Sequence, residues 1–336
     1  MSIVSGYMSE RILKVEGDAR EIELILPPPK EEHTKVFRGY WSSPEALSRE
    51  IRKWDKKEAW SDSGWETGNR AWYGTTSMDG AISLALEGWP EGAEKASRLQ
   101  NRIRANNPIM LKRKLFSVAG ASPDVPRAIS GNPLNMRIPD VSKASRRVVI
   151  TLLSDISAHC GHDGDEFINR AAVVAAVVDE IEASGYACDV ITYCNSEGGG
   201  WGDGSSSFNY CTSIQVKNSN QPVDISRLAF GLGHTSFFRR MIFAEKGYHQ
   251  YCKDLGTGLG HSTYFDQKGL AERNIFVIPS INNAKGAFST EEKAETEGVK
   301  YIIEDLKKQG FPLFEVDEFI PQTVPLTKDR TIRKAA

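Results

Sequence analysis

The chain has 336 residues, 40% hydrophobic and 26% charged, with a formal net charge of −2. This length leaves room for two domains and for a sizeable core. The near-neutral charge excludes a protein that binds nucleic acid over its whole surface, though not a local basic patch. No apolar run approaches the roughly 20 residues of a bilayer span. Residues 1–20 carry polar and charged residues throughout their length and have no h-region, so no signal peptide is expected. The five cysteines, Cys160, Cys188, Cys194, Cys211 and Cys252, are irregularly spaced without a CxxC. That pattern suits reduced thiols in a cytoplasmic protein rather than a disulfide framework.

Glu21–Leu26 alternates apolar and charged residues as a half-buried strand does, and the prolines at 27–29 end it. Tryptophans then crowd the chain at Trp41, Trp54, Trp60, Trp65, Trp72 and Trp89. Helices are expected over Ser43–Lys53, Ser77–Leu86 and Glu94–Arg104, the last with a basic face. Gly88–Trp89–Pro90 separates the second from the third. Ala119–Pro139, rich in Gly, Pro, Ser and Asn, reads as a long connecting loop.

The pattern changes at Arg146. Arg147–Leu153 (RVVITLL) is the continuous apolar run of a strand buried on both faces. Glu166–Ser184 is a helix with Phe167, Ala171, Val174, Val178 and Ile181 on one stripe, closed by Gly185. Ala187–Tyr193 is the next strand, which completes a βαβ unit. A glycine-rich loop over 197–207, a short strand at Ser213–Lys217 and a helix capped by Asp224 follow. Gly231 and Gly233 are read as interrupting that helix, which resumes through Phe243. Asn274–Ile278 is a buried strand. Ser289 and Glu292 fit a capping box for a helix to Gln309, and Leu313–Val316 is a final strand. The alternation predicts an α/β, Rossmann-like, mostly parallel sheet flanked by helices. The expected division is a mainly helical N-terminal region over 1–140, an α/β domain over 146–320 and a basic tail over 321–336.

Ligands in open α/β sheets bind beyond the carboxyl ends of the strands. The loop after the first core strand runs from Ser154 to Asp163 and opens with Asp-x-Ser. A carboxylate and a hydroxyl on one side of a loop suit Mg²⁺ or Mn²⁺. The run RVVITLLSDISA, the helix containing Asn169–Ala172 and the strand CDVITYCN resemble the start of a von Willebrand factor A domain. That family carries a metal-ion-dependent adhesion site with an Asp-x-Ser-x-Ser loop. The resemblance implies Asp155 and Ser157 as metal contacts, with His159 in place of the second serine. It implies Thr257 as the later threonine, and Ser280 or Asn282 where an aspartate is usual. The site is therefore degenerate, and weak Mg²⁺ or Mn²⁺ binding is expected.

The segment from Ser213, with LAFGLGHTSFFRRMIFAEKG, is similar to the intracellular branch found beside cobalt-chelatase subunits and MoxR-type AAA+ ATPases. The segments WYGTTSMDGAISLALEGWPEG and DVPRAISGNPLNMR resemble those of bacteriophage proteins that carry such a domain. What these resemblances imply is a non-enzymatic interaction module, a phage accessory protein with a protein partner such as an AAA+ ATPase.

Two other readings stay open. Arg98, Arg102, Arg104, Lys112, Arg113 and Lys114 could contact the phosphates of a single strand while tryptophans stack its bases, as a replication or transcription accessory factor would. More often such tryptophans build a small core. His159, Cys160, His162, Asp163 and Asp165 could hold zinc for a hydrolase, although they lack the paired spacing of structural zinc sites. His234, Arg239 and Arg240 could read an acidic partner, or simply satisfy a helix end. The N-terminal region has too many tryptophans to remain a free tail. It is expected to dock on the α/β domain and leave the Asp155 face open.

Overall fold

The computed structural model describes residues 35–54, 70–106, 128–133, 148–183, 186–198, 208–248 and 269–311, with short pieces at 116–117, 122–123, 135–137 and 267. The expectations for Glu21–Leu26, Trp60, Trp65, Gly185, Cys252, Leu313–Val316 and the basic tail lie outside the described residues.

The architecture is α/β, with a mostly parallel five-stranded sheet flanked by helices. Its strands are β1 (Lys35–Trp41), β5 (Val149–Asp155), β6 (Ala187–Gly198), β7 (Phe208–Lys217) and β8 (Ile275–Ile278). They lie in the order β1-β7-β6-β5-β8. Three neighbouring pairs are parallel, and β6 and β7 run antiparallel. The strands β8, β5 and β6 therefore point one way, and β7 and β1 the other. The carboxyl ends of the first three share one edge of the fold with the amino ends of the other two. A second, small antiparallel sheet joins β2 (Phe116–Ser117), β4 (Met136–Arg137) and β3 (Ser122–Pro123), the last two within the segment read as a loop.

The described residues before 146 share the main sheet and its core. β1 is a strand of the main sheet, paired along its whole length with β7. Helices α1 (Pro44–Ile51), α2 (Arg70–Tyr73), α3 (Met78–Glu87) and α4 (Pro90–Asn106) follow it. Ser43 and Ser77 cap α1 and α3 through their hydroxyls, which satisfies amides with no partner inside the helix. Gly88 turns at φ +89°, where a side chain would be strained, and Pro90 opens α4. Trp41, Trp54, Leu47, Ile82, Leu99 and Ile103 enter the same hydrophobic core as the strands. Docking thus takes the form of a shared sheet and a shared core.

α5 (Gly164–Ala183) is buried around most of its circumference, from Phe167 to Val178 without a break. A single apolar stripe understates this, because α4 and α6 (Ile225–Gly233) pack against it as well as the sheet. Gln100 of α4 donates to Asp179 of α5 at 2.6 Å, and Lys95 reaches Asp165 at 2.5 Å. Gly231 lies inside α6 and Gly233 is its last residue, with His234 extended before the helix resumes at Thr235, so the expected break falls after Gly233 rather than at Gly231. The two glycines let α6 approach its neighbours, since a Cβ on Gly231 would stand 2.3 Å from Val216 and one on Gly233 2.7 Å from Ala171. A π-helical turn over Phe237–Ile242 then leads into α7 (Phe243–Tyr248). After β8, Thr290 rather than Ser289 caps α8 (Glu291–Lys293), its hydroxyl accepting from the Lys293 amide. α9 (Val299–Lys308) closes the described chain.

The sheet has two buried faces. Ile150, Leu152, Val190, Ile214 and Phe276 join the helical core, while Leu153, Ile191, Tyr193, Cys211 and Val277 form a second cluster. β5 is therefore buried on both sides, as its unbroken apolar run requires.

Candidate functional site

Asp155 ends β5 at the carboxyl edge of the sheet and is 4% exposed. Its Oδ1 accepts the Ser157 amide at 2.9 Å. Burial pushes the carboxyl up to about 6, opposed by the Ser157 hydrogen bonds and the positive charges of Arg170 and Lys246. The Ser157 hydroxyl donates to Cys194 Sγ at 3.3 Å. The Ser157 carbonyl accepts the Ser280 hydroxyl at 2.6 Å. Ser280 Oγ also accepts the Asn282 amide at 3.1 Å, and Asn282 Oδ1 accepts the His159 amide at 2.7 Å. The loops after β5 and β8 are thereby sewn together.

Arg170 reaches the same place from α5. Its Nη2 donates to Ser154 Oγ at 3.1 Å, and both Nε and Nη2 donate to the Pro279 carbonyl. From the other side, buried Lys246 of α7 donates to Cys194 Sγ at 2.8 Å and Ser196 Oγ at 2.6 Å. Its neighbour Glu245 accepts the Thr212 hydroxyl at 2.5 Å.

The outer part of the loop rests on Arg239. Its guanidinium donates to the carbonyls of Trp72, His159 and His162, at 2.8, 3.3 and 2.6 Å. It stacks over the Trp72 ring at 4.5 Å. Trp72 Nε1 completes the circuit by donating to the Cys160 carbonyl at 2.9 Å. Arg240 donates to the Thr75 carbonyl at 2.7 Å and covers Tyr73 at 4.3 Å. Both arginines are buried. Neither guanidinium is turned to solvent for an acidic partner: Arg239 ties the α2 segment to the Asp155 loop, and Arg240 ties the same segment to the π-helical turn. His234 is likewise interior, held down to about 4 by burial, with Nδ1 accepting the Ser236 amide. A neutral imidazole cannot supply the positive charge suggested for it.

Asp155, Ser157, His159 and Asn282 therefore come together, although His159 takes part through its amide. Thr257 and most of the 198–204 loop lie outside the described residues. So do Lys112, Arg113 and Lys114, and of Arg104 only the backbone is described, within α4. Arg98 and Arg102 both bond Glu291 at 2.9 Å, and Arg102 also pairs with Glu295. Their charge is thus largely spent within the protein. In the suggested zinc loop, His162 pairs with Glu166 at 2.6 Å, and among the described residues no three His, Cys, Asp or Glu groups converge as metal ligands would.

Among the described residues, of which Thr257 is not one, the donor set is a poor fit for the divalent ion that the resemblance implies. Mg²⁺ and Mn²⁺ take hard oxygen ligands. Here the Ser157 hydroxyl is turned to a sulfur, the Ser280 hydroxyl to a carbonyl, and a buried ammonium bonds that same sulfur. Lys246, Cys194 and Ser196 were not legible as site residues. A lysine in Ala-Glu-Lys-Gly reads as solvated, and only the packing of α7 on the sheet brings it inward.

The searches of curated proteins and of solved structures found no match. A family model, "Domain of unknown function (DUF7192)", matches residues 29–309, a span that runs from ahead of β1 to the end of α9 and so covers both halves of the fold as one unit. The chain belongs to that family.

Proposed function

We propose that this protein is a non-enzymatic interaction module of the von Willebrand factor A-like type, whose Asp155 loop meets a protein partner at the carboxyl edge of the sheet. The observation that carries this reading is the bracing of one loop from three directions. Ser280 and Asn282 hold it from the β8 loop, Arg239 from the π-helical turn and Trp72 from α2. His159, Cys160, Gly161 and Asp163 stand exposed on top of it. A rigid scaffold that fixes an exposed loop limits the entropy lost on binding. A phage accessory role, and an AAA+ ATPase of the MoxR type as partner, follow from the sequence resemblance and belong to the same proposal. No metal step enters it.

Exposed Cys160 gives a direct test. The full chain carries a photo-crosslinker on Cys160 and is incubated with lysate of the native host, and adducts are identified by mass spectrometry. One dominant protein adduct is expected, lost on changing Asp163→Lys beside the label. A partner recovered by tagged pull-down but never crosslinked from Cys160 would place binding elsewhere. Adducts with single-stranded nucleic acid would favour the accessory-factor reading instead.

A further inference from the structure

Lys246 has no exposed surface. An ammonium withdrawn from water is costly unless charge and hydrogen bonds compensate it, and an apolar residue would be cheaper at such a place. Its surroundings are specific. Cys194 Sγ and Ser196 Oγ, which project from β6, lie at 2.8 and 2.6 Å. Cys194 Sγ also accepts the Ser157 hydroxyl, and Ser157 closes on Asp155. The ammonium thus sits one layer behind the Asp-x-Ser loop, and its charge acts on Asp155. The other cation acting on Asp155 is Arg170, whose bonds go to Ser154 and Pro279.

We infer that Lys246 is the built-in cation of this site: its ammonium serves where a divalent ion would otherwise balance Asp155, and it makes the loop independent of metal. Three features of the site follow together from this assignment. The hydroxyl of Ser157 lies between the Asp155 carboxylate and Cys194 Sγ, and so links the lysine's sulfur partner to the aspartate. Cys194, a soft ligand that Mg²⁺ would not select, sits between the serine and the lysine. The acidic residue that the resemblance leads one to expect after β8 is not needed, because a single positive charge requires fewer carboxylates than a double one. Ser280 stands there and braces the Ser157 carbonyl instead. The inference makes no use of the partner's identity, so it can fail while the interaction reading stands.

The test uses the full chain, with Mn²⁺ and n-propylammonium as probes. The wild type is expected to bind no Mn²⁺ at millimolar concentration by electron paramagnetic resonance, and to melt at the same temperature with Mn²⁺ or EDTA. Lys246→Ala removes a fragment the size of propylammonium. It should melt lower and regain about 5 °C with n-propylammonium or Mn²⁺, but not with n-propanol. Lys246→Met strands the Asp155 charge, and adding Asp155→Asn should raise the melting temperature by about 5 °C more than the same change does in the wild type. That pair decides the matter if Lys246→Ala does not fold. Stoichiometric Mn²⁺ binding by the wild type that Asp155→Asn abolishes would overturn the inference. So would an Asp155→Asn change that raises the melting temperature of Lys246→Met no more than it raises that of the wild type.

Discussion

Gln309 pairs with the backbone of Val277 in both directions. Its Oε1 accepts the Val277 amide at 2.7 Å and its Nε2 donates to the Val277 carbonyl at 2.7 Å. One side chain, delivered from the end of α9, thus bonds the edge of β8 as a neighbouring strand would. The Ile275 amide is satisfied by the Leu270 carbonyl at 3.0 Å. Open strand edges invite pairing with other chains, and this edge is closed from within.

Gln309→Ala should therefore destabilise the protein by about 1–3 kcal/mol, the cost of leaving buried backbone groups unpaired. Urea denaturation measures the loss, and light scattering should show faster aggregation at equal unfolded fraction. Gln309→Glu keeps one acceptor but meets the carbonyl with a second, so it should be no better than alanine. A glutamate variant as stable as the wild type would contradict the pairing.

Arg239 should be intolerant even of lysine. It bonds three carbonyls and stacks on Trp72, a planar pattern that an ammonium cannot reproduce. Arg239→Lys is expected to cost about 2–4 kcal/mol. Hydrogen exchange should report the damage first in residues 157–163 and 70–75, the two segments it joins. Exchange unchanged in both would show that the arginine does not brace the loop.

Stability against pH should carry two opposed contributions. Asp155, raised from 3.8 to about 6, holds its proton in the folded state after the unfolded chain has released it. Its contribution is complete below 3.8 and is lost as pH rises to about 6. His234, lowered from 6.5 to about 4, is neutral in the fold while the unfolded chain is protonated. Its contribution is complete above 6.5 and is lost as pH falls toward 4. In the wild type these offset each other across their shared window. Asp155→Asn removes one, so its stability relative to wild type should grow by about 2 kcal/mol between about pH 4.5 and about pH 7.5. Its stability alone should then fall on acidification below 6.5. Parallel curves for the two proteins in urea melts would refute the burial of a titrating Asp155.

The two glycines of α6 should differ in what they tolerate. A methyl on Gly231 meets the Val216 side chain, whereas one on Gly233 meets Ala171 and the backbone of Ile168 and Phe167. Gly233→Ala should cost more than Gly231→Ala, both within about 1–3 kcal/mol or somewhat above. Val216→Ala should rescue Gly231→Ala by making room for it, and should do nothing for Gly233→Ala. Thermal melts of the four variants test the ordering.

Local pattern determined much of this fold. The apolar run ending at Asp155, the helix after it and the strand of Ala187–Tyr193 are where the periodicity places them, because each is specified by its own residues. Asp224 caps its helix as expected, and the helices expected from Ser43 and Ser77 begin there with those serines as caps, since a cap is a contact over three residues. The loop carrying Asp155 and Ser157 was legible for the same reason. What tertiary structure alone decided is everything made across the chain. The pairing of β1 with β7 joins residues 35–41 to 208–214 and brings a strand of the expected N-terminal region into the main sheet. It carries no local signal, because a strand's neighbour is chosen by the whole sheet. The arginines at 239 and 240 look like a basic surface until α2 covers them with carbonyls and rings. Lys246 reads as solvated until α7 turns it toward Cys194. A charged residue can hide in the interior only when groups distant in sequence supply its hydrogen bonds, and such partners become visible only in the folded chain.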